Sequence, residues 1–224
     1  MSILKLEDVK YSYHSKYQSV NALNGISLEF KKGTAYSIIG KSGSGKSTLL
    51  SLLAGLDTPH SGQIYYEGTP TRDIDLNEYR RSCAAVIYQD FKLFPLLTVT
   101  ENIMYQMELC GIRGKKAKNI AIDLAKKVSL PEALLDRFPG MISGGEQQRV
   151  GIARALSMDR KLLLADEPTG NLDSETGNKI IDILVKLAHE DDYCVIIVTH
   201  DLSIIDKTDV IYHILDGKIV EFNK

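Results

Sequence analysis

The sequence predicts an α/β fold: a mainly parallel sheet interrupted by an α-helical insertion. Three observations carry this. Apolar strand patterns alternate with helical ones from Thr34 to Leu56 and again from Leu162 to Leu215. Between about Asp90 and Met158 the strand patterns vanish and helical ones take over. A glycine-rich loop joins a strand to a helix at Gly40–Ser47.

The elements follow in order. Residues 3–31 read as strands: Leu4, Leu6, Val9, Tyr11 and Tyr13 alternate roughly with polar neighbours, and Ile26, Leu28 and Phe30 do so cleanly. Ser12–Asn24 between them is polar and reads as a loop. Thr34–Ile39 is a short apolar strand, Lys46–Leu56 a leucine-rich helix, and Gly62–Glu67 and Ala84–Tyr88 are further strands. Thr98 with Glu101 forms a capping-box pattern that opens a helix through Cys110. Lys115–Val128 is a second helix. Pro131–Arg137 is a third, ended by Phe138-Pro139-Gly140. Buried-strand runs return at Leu162–Ala165, Val195–Thr199 and Val210–Leu215, with a helix at Glu175–Glu190. The core is thus assigned to 1–89 and 159–224, and the helical subdomain to 90–158, within one domain.

Composition narrows the function. With 224 residues, 44% hydrophobic and 25% charged, the chain can bury a substantial core. A net charge of −2 gives no general reason to expect nucleic-acid binding, which shows as a basic face. The first eight residues carry charges where a signal peptide needs an apolar run. No stretch approaches the ~18 to 20 apolar residues of a membrane span. Cys83, Cys110 and Cys194 are far apart and odd in number, which fits reduced thiols rather than a disulfide framework or a zinc site.

Gly40-Lys41-Ser42-Gly43-Ser44-Gly45-Lys46-Ser47 matches the phosphate-loop pattern and opens a helix after a strand, as the physics requires. Glycines let backbone N–H groups converge on phosphate oxygens, and the helix N-terminus adds partial positive charge. Lys46 is expected to reach the β- and γ-phosphates of a nucleotide, Ser47 to ligate Mg²⁺, and Thr48 to add an N–H donor. Leu162–Ala165 ends in Asp166-Glu167. In an open α/β sheet ligands bind at the carboxyl ends of strands, so Asp166 falls beside the phosphate loop, where it can hold Mg²⁺. Glu167, one residue on, can polarise an attacking water as general base. These features place the core among the P-loop NTPases.

Ile142-Ser143-Gly144-Gly145-Glu146 admits two readings. Ser143 with Glu146 is a capping box for the helix Glu146–Leu156. That leaves two glycines in the first turn unexplained, each costing up to about 1 kcal/mol against alanine. They make sense where something approaches the backbone closely. A phosphate at a helix N-terminus fits, with Ser143 and the amides of Gly144 and Gly145 as donors. The segment lies in the helical insertion, so the phosphate it grips is assigned to a second copy of the chain.

Over essentially its full length the chain resembles the nucleotide-binding domain of ABC transporters. The Ser-Gly-Gly element is similar to that family's signature. The resemblance implies a RecA-like core, an N-terminal antiparallel β-subdomain, and ATP and Mg²⁺ as cofactors. It implies that Gln89 senses Mg²⁺ and the γ-phosphate, that Asn171-Leu172-Asp173 crosses a dimer interface, and that His200 contacts the γ-phosphate. Tyr13 falls where the family stacks an aromatic on adenine, with Tyr11 the alternative and core packing a third reading. The apolar run Phe91, Leu93, Phe94, Pro95, Leu96 and Leu97 is either core or a patch for a partner. The family reading is a docking groove for an integral membrane permease subunit on a separate chain, which puts this one at the cytoplasmic face of the cell membrane.

Gly170-Asn171-Leu172-Asp173 and Leu97-Thr98-Val99-Thr100-Glu101-Asn102 are similar to the MacB, LolD and FtsE group. That group implies export, extraction or mechanotransmission, or else an FtsE-like regulatory ATPase that transmits force without transport. A soluble ABC protein would carry paired ATPase domains or a coiled-coil insertion, and a phosphate-loop kinase has no use for a Ser-Gly-Gly contact in trans. Two positions depart from the family's pattern. Ile142 stands for Leu, and Glu146 stands for Gln, which brings negative charge near a phosphate unless it folds back to cap Ser143. Lys41 is an unusual basic residue in the phosphate loop.

Overall fold

The computed structural model describes residues 2–14 and 19–220. Two compact units divide the chain. One comprises the chain up to Val86, Lys161–Glu167 and the chain from Leu184. The other comprises Ile87–Arg160 and Pro168–Ile183.

The first unit holds two sheets. β1 (Ser2–His14), β2 (Ser19–Lys31), β4 (Ser61–Tyr66) and β5 (Thr69–Pro70) form an antiparallel sheet of order β2-β1-β4-β5. The second sheet is built round β3 (Thr34–Ile39). β6 (Ala84–Ile87), β7 (Leu162–Asp166), β8 (Cys194–Thr199), β9 (Val210–Leu215) and β10 (Lys218–Val220) complete it in the order β10-β9-β3-β8-β7-β6. β7, β8, β3 and β9 pair in parallel, and β10 pairs antiparallel with β9. β3 and β8 are buried almost throughout, which is why they read as unbroken apolar runs rather than alternating ones. Leu49 and Leu53 of α1 (Lys46–Leu53) join Leu6, Phe30 and Ile64 of the first sheet and Ile38, Leu164 and Ile196 of the second in one core. Burying each such side chain contributes about 1.5–3 kcal/mol.

Two expectations for this unit are corrected. Ser12–Asn24 is not a loop throughout: Ser12↔Asn21, Tyr13↔Val20 and His14↔Ser19 are paired in the β1–β2 ladder. These strand ends are largely exposed, so backbone pairing holds them without the apolar pattern that marks a strand. The helix after the phosphate loop stops at Leu53 because Gly55, with φ +67, turns the chain. α2 (Leu76–Ser82) was missed. It buries only Tyr79 and is capped by Asp75, whose side chain accepts from Glu78 N at 2.9 Å.

The second unit is helical: α3 (Val99–Leu109), α4 (Gly114–Lys127), α5 (Gly144–Leu156) and the start of α6 (Ser174–Asp191). Both halves of the Thr98–Glu101 capping box are formed. The helix expected over Pro131–Arg137 is only a 3₁₀ turn, Glu132–Leu134. Its carbonyls bond three residues on rather than four: Pro131 O accepts from Leu134 N (3.0 Å) and Glu132 O from Leu135 N (3.1 Å). The last carbonyls of the segment are used outside it. Leu135 O accepts from Thr100 N (3.0 Å) and Thr100 Oγ1 (2.9 Å), and Arg137 O accepts from Val99 N at 2.8 Å. They satisfy the free donors in the first turn of α3.

Candidate nucleotide site

β3 delivers the chain at Ile39 into a loop that α1 closes. Gly40 is obligatory, since a Cβ there would lie 2.4 Å from Ile214 O and 2.7 Å from Ser44 Oγ. Gly45, at φ +108, would place a Cβ 2.4 Å from Ala22 O. Gly43 is also left-handed, at φ +79, yet nothing lies within 4 Å of its Cβ position, so its backbone faces open space. Lys46 is buried and its ammonium donates to Gly40 O (2.8 Å) and Lys41 O (3.0 Å), across the loop. Ser44 is buried, and its hydroxyl has no hydrogen-bond partner among the described residues. Lys41, Ser42 and Ser47 are exposed, and Thr48 is buried.

Tyr13 and Tyr11 part company here. Tyr13 is 50% exposed, and its hydroxyl lies 3.2 Å from Thr48 Oγ1 in the first turn of α1. Tyr11 is 7% exposed, hydrogen-bonds Asp57 and stacks on His60 with centroids 4.5 Å apart. The Asp57 carboxylate and burial push the Tyr11 phenol up to about 12. Tyr11 meets the Tyr13 ring edge-on at 5.1 Å. Of the two rings Tyr13 is the exposed one, with Tyr11 packed against its edge.

At the end of β7, Asp166 is half-buried. Burial, and then the charge of Glu167, raise its carboxyl above the ordinary range, while Lys46 pulls the other way. Glu167 has φ +44, a strained conformation for a non-glycine residue. Its Oε2 accepts from Thr199 Oγ1 (2.8 Å) and His200 N (3.3 Å), and its Oε1 lies 2.9 Å from His200 Nδ1. Two adjacent carboxylates, one of them resisting ionisation, with an exposed Ser47 hydroxyl on the same unit, fit a divalent cation. Few protein ligands are needed, because Mg²⁺ keeps waters and phosphate oxygens in its shell.

The second unit carries the remaining candidates. Gln89 Nε2 lies 3.4 Å from Asn171 Oδ1, and Asn171 Nδ2 donates to Gln89 O at 3.1 Å. Ser143 caps α5, and both of its donors are taken: Ser143 N (2.7 Å) and Ser143 Oγ (2.9 Å) donate to Glu146 Oε2. Glu146 thus folds back as a cap, and the hydrogen bond from Ser143 N holds its carboxyl below the usual range. The two glycines differ. A Cβ at Gly145 would meet Thr176 Cγ2 at 2.3 Å, so the close approach there comes from within this chain. At Gly144 the nearest atoms, Leu172 Cδ2 and Phe91 Cζ, would be at 3.4 and 3.6 Å, an ordinary contact. Only Gly144 lacks an explanation in the chain's own packing.

Gly40–Thr48, Tyr13, Asp166, Glu167 and His200 all belong to the first unit, and Gln89 with Ser143–Gly145 to the second. Three residues escaped the sequence reading. Thr199 orients Glu167, and its one signal was its place before His200 at a strand end. Asn102 is fully buried and fixes the apolar loop by accepting from Phe94 N (2.8 Å) and donating to Phe94 O, Leu97 O and Thr98 O. Arg154 of α5 binds the Gln89 loop through Phe91 O (2.9 Å) and Lys92 O (2.6 Å).

Sheet order, phosphate loop and acidic strand end define a phosphate-loop nucleotide-binding protein. The family described as "ABC transporter" matches residues 23–170. The ABC transporter ATP-binding protein YclH of Bacillus subtilis is 40% identical over 94% of this chain and 92% of its own length. The lipoprotein-releasing system ATP-binding protein LolD 2 of Rhodopirellula baltica is 38% identical over 96% and 88%. Among solved structures, the ATP-binding cassette MJ0796 of Methanocaldococcus jannaschii, a dimer in a post-hydrolysis state bound to ADP and Pi, superimposes with a TM-score of 0.89. It is 37% identical and covers 99% of this chain and 98% of its own. The chain belongs to the ABC transporter family, as an ATP-binding and ATP-hydrolysing subunit.

Proposed function

We propose that two copies of this chain close on ATP, hydrolyse it and drive a separate membrane permease subunit. The observation that carries this reading is the Glu167 carboxylate, held by Thr199 and His200 on the unit that bears the phosphate loop. Lys46 exchanges the loop carbonyls for β- and γ-phosphate oxygens, and Ser44, with its unpartnered hydroxyl, gains an acceptor. Tyr13 stacks on adenine. Glu167 takes the proton of the attacking water as its oxygen bonds to the γ-phosphorus, and the bridging bond to ADP breaks with its electron pair. His200 fixes the base and contacts the γ-phosphate. Ser47 and Asp166 are the residues of the phosphate-loop unit that would hold Mg²⁺, which supplies charge neutralisation on the phosphates when bound.

The second copy offers the amides of Gly144 and Gly145, and Ser143 once its hydroxyl exchanges Glu146 Oε2 for a phosphate oxygen. Support comes from the dimeric cassette MJ0796 and from Gly144, which this chain's own packing does not require. The LolD relative belongs to a lipoprotein-releasing system, which favours export or extraction over force transmission alone. Among the described residues no helix is long and apolar enough to cross a membrane. The permease of this reading is a separate chain, which holds the subunit at the cytoplasmic face. Phe94 and Leu96, the latter 87% exposed, form the docking patch. Loss of co-purification with the permease on Phe94→Glu, with ATP binding kept, supports the patch; normal co-purification removes it.

The deciding experiment is light scattering on Glu167→Gln with and without ATP. Turnover is expected to fall by about 10² to 10⁴. The variant should shift from monomer to dimer on ATP. Turnover near the wild-type rate would exclude Glu167 as the base, and an ATP-bound monomer would count against the closed dimer.

A further inference from the structure

The loop after Gln89 is strained and clasped from two sides. Phe91 (φ +57) and Lys92 (φ +48) are successive non-glycine residues in the left-handed region. Such backbone persists only where its surroundings over-determine it. One clasp is Arg154, whose planar fork donates to both carbonyls of the strained pair, Lys92 O at 2.6 Å and Phe91 O at 2.9 Å. The other is Asn171. It donates to Gln89 O at 3.1 Å, accepts from Gln89 Nε2 at 3.4 Å, and lies 3.5 Å from Asp90 Oδ1 through Nδ2. Gly170 lets this segment press in, since a Cβ there would lie 2.6 Å from Gln89 Nε2. The loop also reaches the start of α5: the Phe91 ring and Leu172 are the nearest neighbours of the Gly144 Cβ position.

We propose that Arg154 and Asn171 are positioning residues that lock the Gln89–Lys92 loop to α5 and to the Gly170–Leu172 segment, so that a displacement of Gln89 is carried to Ser143. The linkage is short and stiff. Gln89 cannot turn towards a ligand without giving up its bond to Asn171. Phe91 and Lys92 cannot relax without pulling on Arg154, three turns along the helix that Ser143 caps. Nucleotide sensed at Gln89 then alters how Ser143 and Gly144 are presented to the second copy. The proposal rests on the reading of Gln89 as the nucleotide-responsive residue.

Hydrogen–deuterium exchange on the full chain tests it, with and without Mg-ATP, at a concentration where light scattering gives a single copy. In the wild type the amides of 88–93 and of 143–148 should both change on adding Mg-ATP. In Arg154→Lys and in Asn171→Ala the change at 88–93 should remain and that at 143–148 should be lost. Asn171 is exposed, so its variant reports even where the change at the partly buried Arg154 harms folding. A wild-type response at 88–93 without one at 143–148 overturns the linkage, as does an unaltered response at 143–148 in the folded variants. No response at 88–93 in the wild type removes the reading of Gln89 and the linkage with it.

Discussion

Gly145 and Thr176 touch: a Cβ built on Gly145 would sit 2.3 Å from Thr176 Cγ2, inside any real contact distance. The second glycine of the Ser-Gly-Gly element therefore serves the packing of α6 on α5. Gly145→Ala should destabilise the fold by about 1–3 kcal/mol through overpacking, less a helix-propensity gain of up to about 1 kcal/mol. Thr176→Ala in the same chain should remove the penalty. Urea melts of the two single variants and the double variant measure the coupling, and additivity would exclude the contact as the cause.

Tyr13 and Tyr11 should separate in nucleotide binding. Tyr13→Ala should weaken ATP binding by roughly tenfold, within the ~1–3 kcal/mol that stacking a base on an aromatic ring contributes. Binding of inorganic tripolyphosphate, which has no base, should be unaffected. Calorimetry with the two ligands makes the comparison. An equal loss for both would mean that the variant disturbs Thr48 and the phosphate loop, 3.2 Å from the Tyr13 hydroxyl, rather than the base.

Asp166 should show the sign of its own burial. Its folded carboxyl lies above the ordinary value of 3.8, so between those two values the folded chain binds more protons than the unfolded one. Stability then falls as pH rises through that window and stays lower above it. Asp166→Asn cannot ionise, so at neutral pH the nucleotide-free variant should melt higher than the wild type. The difference should vanish below about pH 3.8. Thermal melts across pH test this; a variant that melts lower at neutral pH would show that the carboxylate is stabilising.

Much of the candidate site was legible because its chemistry is local in sequence. The phosphate loop, the Asp166-Glu167 strand end and the Thr98 and Ser143 capping boxes are read from residues within a few positions of one another. The buried strands were equally plain, because a strand covered on both faces must be apolar. What escaped depends on distant partners. Nothing near Pro131–Arg137 indicates that the carbonyls of Leu135 and Arg137 serve as acceptors for Thr100 and Val99, about 35 residues earlier in the chain. Nothing beside Gly145 points to Thr176, so its glycine suggested a phosphate. The β1–β2 strand ends gave no signal because an exposed ladder needs no apolar side chains. Glu146 was readable both ways, and the bonds from Ser143 N and Oγ decide it as a cap.

Lys46 rests on Gly40 O and Lys41 O, and this bears on when the cost of ordering it is met. A long cationic side chain loses up to about 2 kcal/mol of rotamer freedom when it is immobilised. Here that loss is incurred when the chain folds, before any ligand arrives. The ammonium also ties two carbonyls of the loop together from inside, like a keystone set before the load. On the proposed reading, capture of a triphosphate would be an exchange of partners on a cation already in place.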